Sequence, residues 1–257
     1  MENNLKKYIL VIDVGNSFTK IGVFEKNSEK SSKVVLIPTE KKANKKLLIS
    51  KLKEFTNFNI TDAIVGSVVP EVKEYFKTLI FDVFKIHPYS INNKTKFSFK
   101  IDEQSKKEIG DDLLALCEYC VEYNDTAMGI SFGTAIAGVY LQDKKLKGVT
   151  IGIGLGFGLN KLVDKASLLE KNKIDKFKLI SYGTNTLTSL ESGINNLRKG
   201  FAFSLYNEIK KENKNKKIFC LITGGEAFKL GEESSFDYEI NYEAILIGFK
   251  RIYFLNN

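Results

Sequence analysis

Two segments about a hundred residues apart read as strand, small polar turn, strand: VIDVGNSFTKIGVFE from Val11 to Glu25, and GISFGTAIAGVYLQD from Gly129 to Asp143. Gly15 aligns with Gly133 and Gly22 with Gly138, the second copy being two residues shorter between its glycines. A duplicated hairpin constrains the chain, because it suggests two related halves with a cleft between their turns, although short glycine-containing hairpins also resemble one another by chance. It also poses a question of charge. Asp13, Asn16, Ser17 and Lys20 interrupt two otherwise apolar runs, and a carboxylate at a buried strand end calls for a partner or a task.

Around these hairpins the pattern is that of an α/β protein. Apolar, β-branched runs predict strands at 9–13, 20–24, 33–37, 63–67, 127–131, 135–141 and 218–222. Helical spacing links Leu47, Leu48, Leu52 and Phe55; Val72, Phe76, Leu79 and Ile80; and Leu159, Leu162, Val163, Ala166 and Leu169. Longer helical stretches run over 186–210 and 242–254. Strands alternating with helices imply parallel pairing with crossovers. The polar stretch SINNKTKFSFKIDEQSKK, 90–107, reads as the boundary between a first domain, 1–107, and a second, 108–257.

Composition excludes several classes. No apolar run reaches the ~18 residues of a membrane span, and Asp13 and Gly15 end the first apolar stretch too early for a secretory signal. A cytoplasmic protein without a membrane partner is expected. Three cysteines, Cys117, Cys120 and Cys220, are too few for a disulfide framework, and CEYC without a second pair or a nearby histidine reads as helix packing rather than a zinc site. The net charge of +8 comes almost wholly from lysines in polar linkers, the only arginines being Arg198 and Arg251. Specific nucleic-acid readers favour arginine forks, so a solvated lysine-rich surface is the better reading and no nucleic-acid partner is expected. His87, the only histidine, precedes Pro88 in a loop, which leaves no Ser/His/Asp triad or multi-histidine metal site and reads as a surface or hydrogen-bond-satisfied histidine.

Candidate chemistry concentrates in few places. Gly15 permits a tight turn, Asn16 and Ser17 offer groups for phosphate oxygens, Asp13 suits Mg²⁺ and Lys20 suits phosphate charge, although a plain β-turn with a solvated Asp13 fits as well. No GxxxxGK[ST] loop occurs. GVTIGIGLGFGLNKLV carries Gly152, Gly154, Gly156 and Gly158 ahead of a helix, without GxGxxG spacing, and reads as an anion-facing or closely packed loop. In IGDDLLALCEYC, Asp111 and Asp112 open a helix. They either complement its dipole or supply a general base.

Taken in order, IDVGNSFTKIGVF, GSVVP, IGDDLLA, SFGTA, GTNTLTSLESGI and TGG resemble the type III pantothenate kinase family over nearly the whole chain. The resemblance implies two actin-like, ribonuclease-H-like domains of the acetate and sugar kinase, Hsp70 and actin type, with ATP in the cleft. It also implies a homodimer, and transfer of the γ-phosphoryl to the primary hydroxyl of pantothenate, the first step toward coenzyme A. By that resemblance Asp13 engages the Mg²⁺-nucleotide, Gly15, Asn16, Ser17 and Lys20 line the phosphates, and Gly133 and Thr134 meet ATP. Asp112 is the proton acceptor, while Gly110, Asp111, Leu113 and Thr186 belong to the pantothenate site.

Three departures stand out. Leu113 replaces the arginine of the family's Gly-x-Asp-Arg, which removes a charge and a donor fork together. Ser131 replaces the aspartate that holds the family's activating monovalent cation, K⁺ or NH4⁺, and a neutral hydroxyl is a poorer ligand for that ion. Ile153 stands where the family has proline, in a stretch that keeps Gly148 and Gly154. Two readings result: an active, divergent pantothenate kinase, or a catalytically impaired member serving as an ATP-binding or regulatory protein.

Overall fold

Alternation along β1 (Tyr8–Val14) gives the first sheet two different faces. Leu10, Ile12 and Val14 pack with Val65, Leu52, Phe55, Val72 and Phe76 on one side, leaving Ile9, Val11 and Asp13 for the other. The computed structural model describes residues 6–40, 44–165, 181–227, 229–230 and 234–257, and Ala166 and Leu169 of the expected helical stripe lie outside them. β1 is flanked by β2 (Phe18–Glu25) and β4 (Ile60–Ser67), and β3 (Ser31–Pro38) completes the order β3-β2-β1-β4. Only β1 and β4 are parallel. Helices α1 (Lys45–Lys53) and α2 (Pro70–Phe84) cover the Leu10 face, and short α3 (Glu103–Glu108) precedes α4 (Asp111–Tyr123). The C-terminal α7 (Ala244–Asn256) packs on β1 and β4.

The second sheet repeats the plan. β5 (Ala127–Phe132), β6 (Ala135–Gln142), β7 (Lys145–Ile153) and β8 (Phe219–Thr223) lie in the order β7-β6-β5-β8, with β9 (Glu239–Ile240) added at the edge. Again the first three strands form an antiparallel meander and the fourth joins the first in parallel. Helices α5 (Leu155–Lys165) and α6 (Thr186–Glu212) belong to this half, where Leu155, Ile194 and Ala202 share a core with Met128, Ile130 and Ile222. The duplicated hairpin is thus a duplicated sheet.

All seven expected strands are present, and two expectations change. The glycine-rich stretch read as a loop is strand β7 through Ile153, because Val149, Thr150 and Ile151 ladder against β6 and only Gly154 remains between strand and helix. The chain divides into residues 1–122 with 243–257, and 123–242, so the boundary differs from the 107/108 division. Residues 90–107 are tied into the first unit: Ser98 donates its amide and hydroxyl to buried Glu118 of α4, and Asn256 of α7 exchanges hydrogen bonds with the backbone of Lys96. Cys117, Cys120 and Cys220 are buried and form no disulfide, and exposed His87 stacks on Phe81 at 4.5 Å.

α7 and α4 meet where Gly248 faces the backbone of Ala115. A Cβ on Gly248 would fall 1.9 Å from the Ala115 carbonyl oxygen. Relief requires the helices to separate, opening a core in which Phe249, Leu114 and Leu116 are fully or almost fully buried. Gly248→Ala is therefore expected to destabilise the protein by about 2–3 kcal/mol, seen as a lower urea midpoint; an unchanged midpoint would show that the two helices do not depend on this approach.

Candidate active site

Asp13 lies in the register opposite Lys20 on β2 and beside Gly66 on β4. Gly66 matters through what replaces its side chain: a Cβ there would sit 2.0 Å from the Phe249 ring, so the ring of α7 fills that space next to Asp13. An apolar wall and a strand end leave Asp13 only 9% exposed. Burial, reinforced by the charge of Asp112, pushes its carboxyl up to about 7; Lys20 acts in the opposite direction and Asp111 adds to the rise.

Asp112 occupies the first turn of α4, and its Oδ1 accepts the Leu113 amide at 2.9 Å. Burial raises its carboxyl above the ordinary value, opposed by that hydrogen bond and supported by Asp111. The carbonyl of Gly110 receives the amides of Leu113 and Leu114, which starts the helix at a fixed point. Asp111 turns elsewhere: its Oδ2 accepts the Ser67 amide at 2.9 Å and Lys73 Nζ at 2.8 Å. Leu113 is 6% exposed, a core residue of α4.

The tip of the first hairpin is open. Asn16 and Ser17 are exposed, and the Gly15 amide closes the turn on the Phe18 carbonyl at 3.1 Å. So the first unit brings together Asp13, Lys20, Asp111 and Asp112, with Gly15, Asn16 and Ser17 on the adjoining turn.

In the second unit, Gly133 closes its turn on Ala135 at 3.1 Å, and the carbonyl of exposed Thr134 accepts the Gly154 amide at 3.2 Å. Ser131 takes the place in β5 that Asp13 holds in β1, two residues before the turn glycine, with Ala137 and Thr223 beside it. Residues that the sequence did not single out join here. The Glu226 amide donates to Phe132, its carboxylate faces the Gly156 amide at 3.4 Å, and buried Arg198 approaches that carboxylate at 3.5 Å. Exposed Thr186 is the first residue of α6, behind the Asn185 and Thr188 capping box.

Among the described residues no three His, Cys, Asp or Glu side chains gather as a metal cage. One buried carboxylate with an acidic neighbour fits a hard divalent cation that arrives with phosphate oxygens and waters, the usual manner of Mg²⁺.

A profile of type III pantothenate kinases matches residues 9–208. The chain is 58% identical to the type III pantothenate kinase of Malacoplasma penetrans (strain HF-2), over 100% of both chains. The chain belongs to the type III pantothenate kinase family. This kinase phosphorylates pantothenate in coenzyme A biosynthesis, using ATP and a divalent metal. Among solved structures it resembles a protein from Campylobacter jejuni described as a Baf family transcriptional activator, with TM-score 0.60, 16% identity and coverage of 96% and 98% of the two chains. It also resembles the Listeria monocytogenes protein Lmo2764, described as an N-acetylmannosamine kinase, with TM-score 0.52, 13% identity and coverage of 97% and 100%. The fold is the actin-like fold of sugar kinases.

The raised Asp13 carboxyl has a cost to stability with a definite sign. The folded state holds this proton more tightly than the unfolded chain, so the stability it contributes is complete below the ordinary carboxylate range and is lost as pH rises through about 7. Asp13→Asn removes a charge whose burial costs at most roughly 4 kcal/mol. In metal-free buffer containing a chelator, the variant is expected to melt several degrees above the parent at about pH 8 and level with it near pH 4. A difference that does not vary with pH would contradict the elevated carboxyl.

Proposed function

We propose that Asp112 is the general base of the kinase and that Asp13 engages the divalent cation, Mg²⁺, carried with ATP. The observation that supports this reading is the grouping of two raised carboxyls with Lys20 beside an exposed glycine turn. A base whose proton affinity lies above that of an ordinary carboxylate is better matched to removing a hydroxyl proton near neutrality. Asp112 takes the proton of the primary hydroxyl as that oxygen bonds to the γ-phosphorus. The bond to the β,γ-bridging oxygen breaks, and ADP leaves.

Bound Mg²⁺ supplies charge neutralisation on the phosphates. Lys20 adds a second positive charge, and the amides and side chains of Gly15, Asn16 and Ser17 offer donors to phosphate oxygens. Gly133 and Thr134 are assigned to ATP, and Gly110 and Thr186 to pantothenate. Buried Leu113 supplies no charge to the substrate. With Ser131 in place of a carboxylate, turnover is inferred to be independent of K⁺ and NH4⁺. The impaired alternative gains no support, since Asp13, Lys20 and Asp112 are all present and grouped.

The test is direct detection of 4′-phosphopantothenate by mass spectrometry after incubation with Mg-ATP and pantothenate, with and without potassium. Asp112→Asn is expected to lower turnover by about 10³-fold or more with ATP affinity nearly unchanged, and full turnover in this variant would refute the base assignment.

The reading includes a cytoplasmic homodimer. In the second unit Ile151, Ile153 and Leu197 are 70%, 72% and 63% exposed, and Ile153 and Leu197 line an apolar groove of about 660 Å³. Such a surface suits a second copy. Leu197→Asp is expected to convert the dimer to a monomer in size-exclusion chromatography with light scattering; a monomeric parent would overturn the dimer assignment.

A further inference from the structure

We infer that Lys73 is a positioning residue for phosphoryl transfer: through Asp111 it fixes the first turn of α4 and with it the carboxylate of Asp112. This rests on the assignment of Asp112 as the base.

One oxygen, Asp111 Oδ2, joins three elements. It accepts the Ser67 amide from the last residue of β4 at 2.9 Å and Lys73 Nζ from the first turns of α2 at 2.8 Å, while Asp111 itself begins α4. Ser67 follows Gly66, the register partner of Asp13, and Asp112 follows Asp111. The clamp therefore sits one residue from the base and next to the strand position that flanks Asp13.

The root of Lys73 is itself fixed. Its amide donates to the Val69 carbonyl at 3.1 Å, and the Ser67 hydroxyl both accepts the Val69 amide and donates to the Val69 carbonyl, each at 2.9 Å. Ser67 and Lys73, the two donors to Asp111, thus spring from the two ends of a braced β4–α2 connection. Both side chains are largely withdrawn from solvent, at 17% and 14% exposure, so loss of either partner leaves an uncompensated charge rather than a hydrated one. A carboxylate in the first turn of a helix complements the dipole without any lysine. What Lys73 adds is a fixed direction for that turn, which phosphoryl transfer requires because its catalysis is mostly positioning.

The test compares Lys73→Met, Lys73→Arg, Asp111→Asn and the Lys73→Met/Asp111→Asn double variant, with Asp112→Asn as the reference, measuring kcat, both KM values and Tm. Lys73→Met is expected to lower kcat by about tenfold or more while each KM stays within about threefold. Lys73→Arg should recover most of the loss, and adding Asp111→Asn to Lys73→Met should cost little further. A fall in Tm with kcat intact would reduce the pair to a structural brace. A selective rise in KM for pantothenate would make Lys73 a substrate ligand, and independent multiplicative losses would show that the two do not act as a unit; each result overturns the inference. If Asp112→Asn keeps turnover, the base assignment fails. If it is inactive while Lys73→Met is normal, only the role of Lys73 fails.

Discussion

The first unit is organised by a carboxylate held where water is scarce. Asp13 belongs to the same strand face as Ile9 and Val11, and α7 covers that face with Phe249 occupying the space of the absent Gly66 side chain. A charge in that position is costly unless a cation faces it. Burial and the charges of Asp112 and Asp111 outweigh Lys20 across the ladder, so the Asp13 carboxyl is pushed up to about 7. The same packing that stabilises the sheet raises the proton affinity of Asp13.

Duplication gives the two units the same strand order but not the same chemistry. At the place equivalent to Asp13 the second sheet has Ser131, and its turn is stitched by neutral backbone bonds from Gly154 to Thr134 and from Glu226 to Phe132. Its charged pair, Arg198 with Glu226, stands behind the turn near Gly156. The grouped carboxylates and Lys20 therefore belong to the first unit alone, and the corresponding turn of the second is held by neutral backbone hydrogen bonds. This asymmetry agrees with the departures from the family pattern, which leave the acidic first hairpin intact.

The hairpins were legible because alternation and turn chemistry are local properties. β7 was not, since Gly148, Gly152 and Gly154 resemble a loop until β6 is present to pair with the residues between them. Local pattern marked helices after Gly110 and over 242–254 but did not say which sheet they cover. That choice depends on tertiary fits such as Gly248 against Ala115 and Phe249 against Gly66. In the candidate site, the grouping of Asp13 and Lys20 was visible in the first hairpin and that of Asp112 through motif order. Lys73 was not, because one lysine in a chain of net charge +8 has no distinguishing local signal, and its partner is 38 positions away.

Carboxyl-carbon NMR titration of the metal-free protein, with the Asp13 resonance assigned by its absence in a variant, tests the central claim most directly. The account predicts that this carboxyl titrates near pH 7 and moves to lower pH as Mg²⁺ is added. A midpoint at the ordinary aspartate value of about 4, unmoved by the metal, would contradict it.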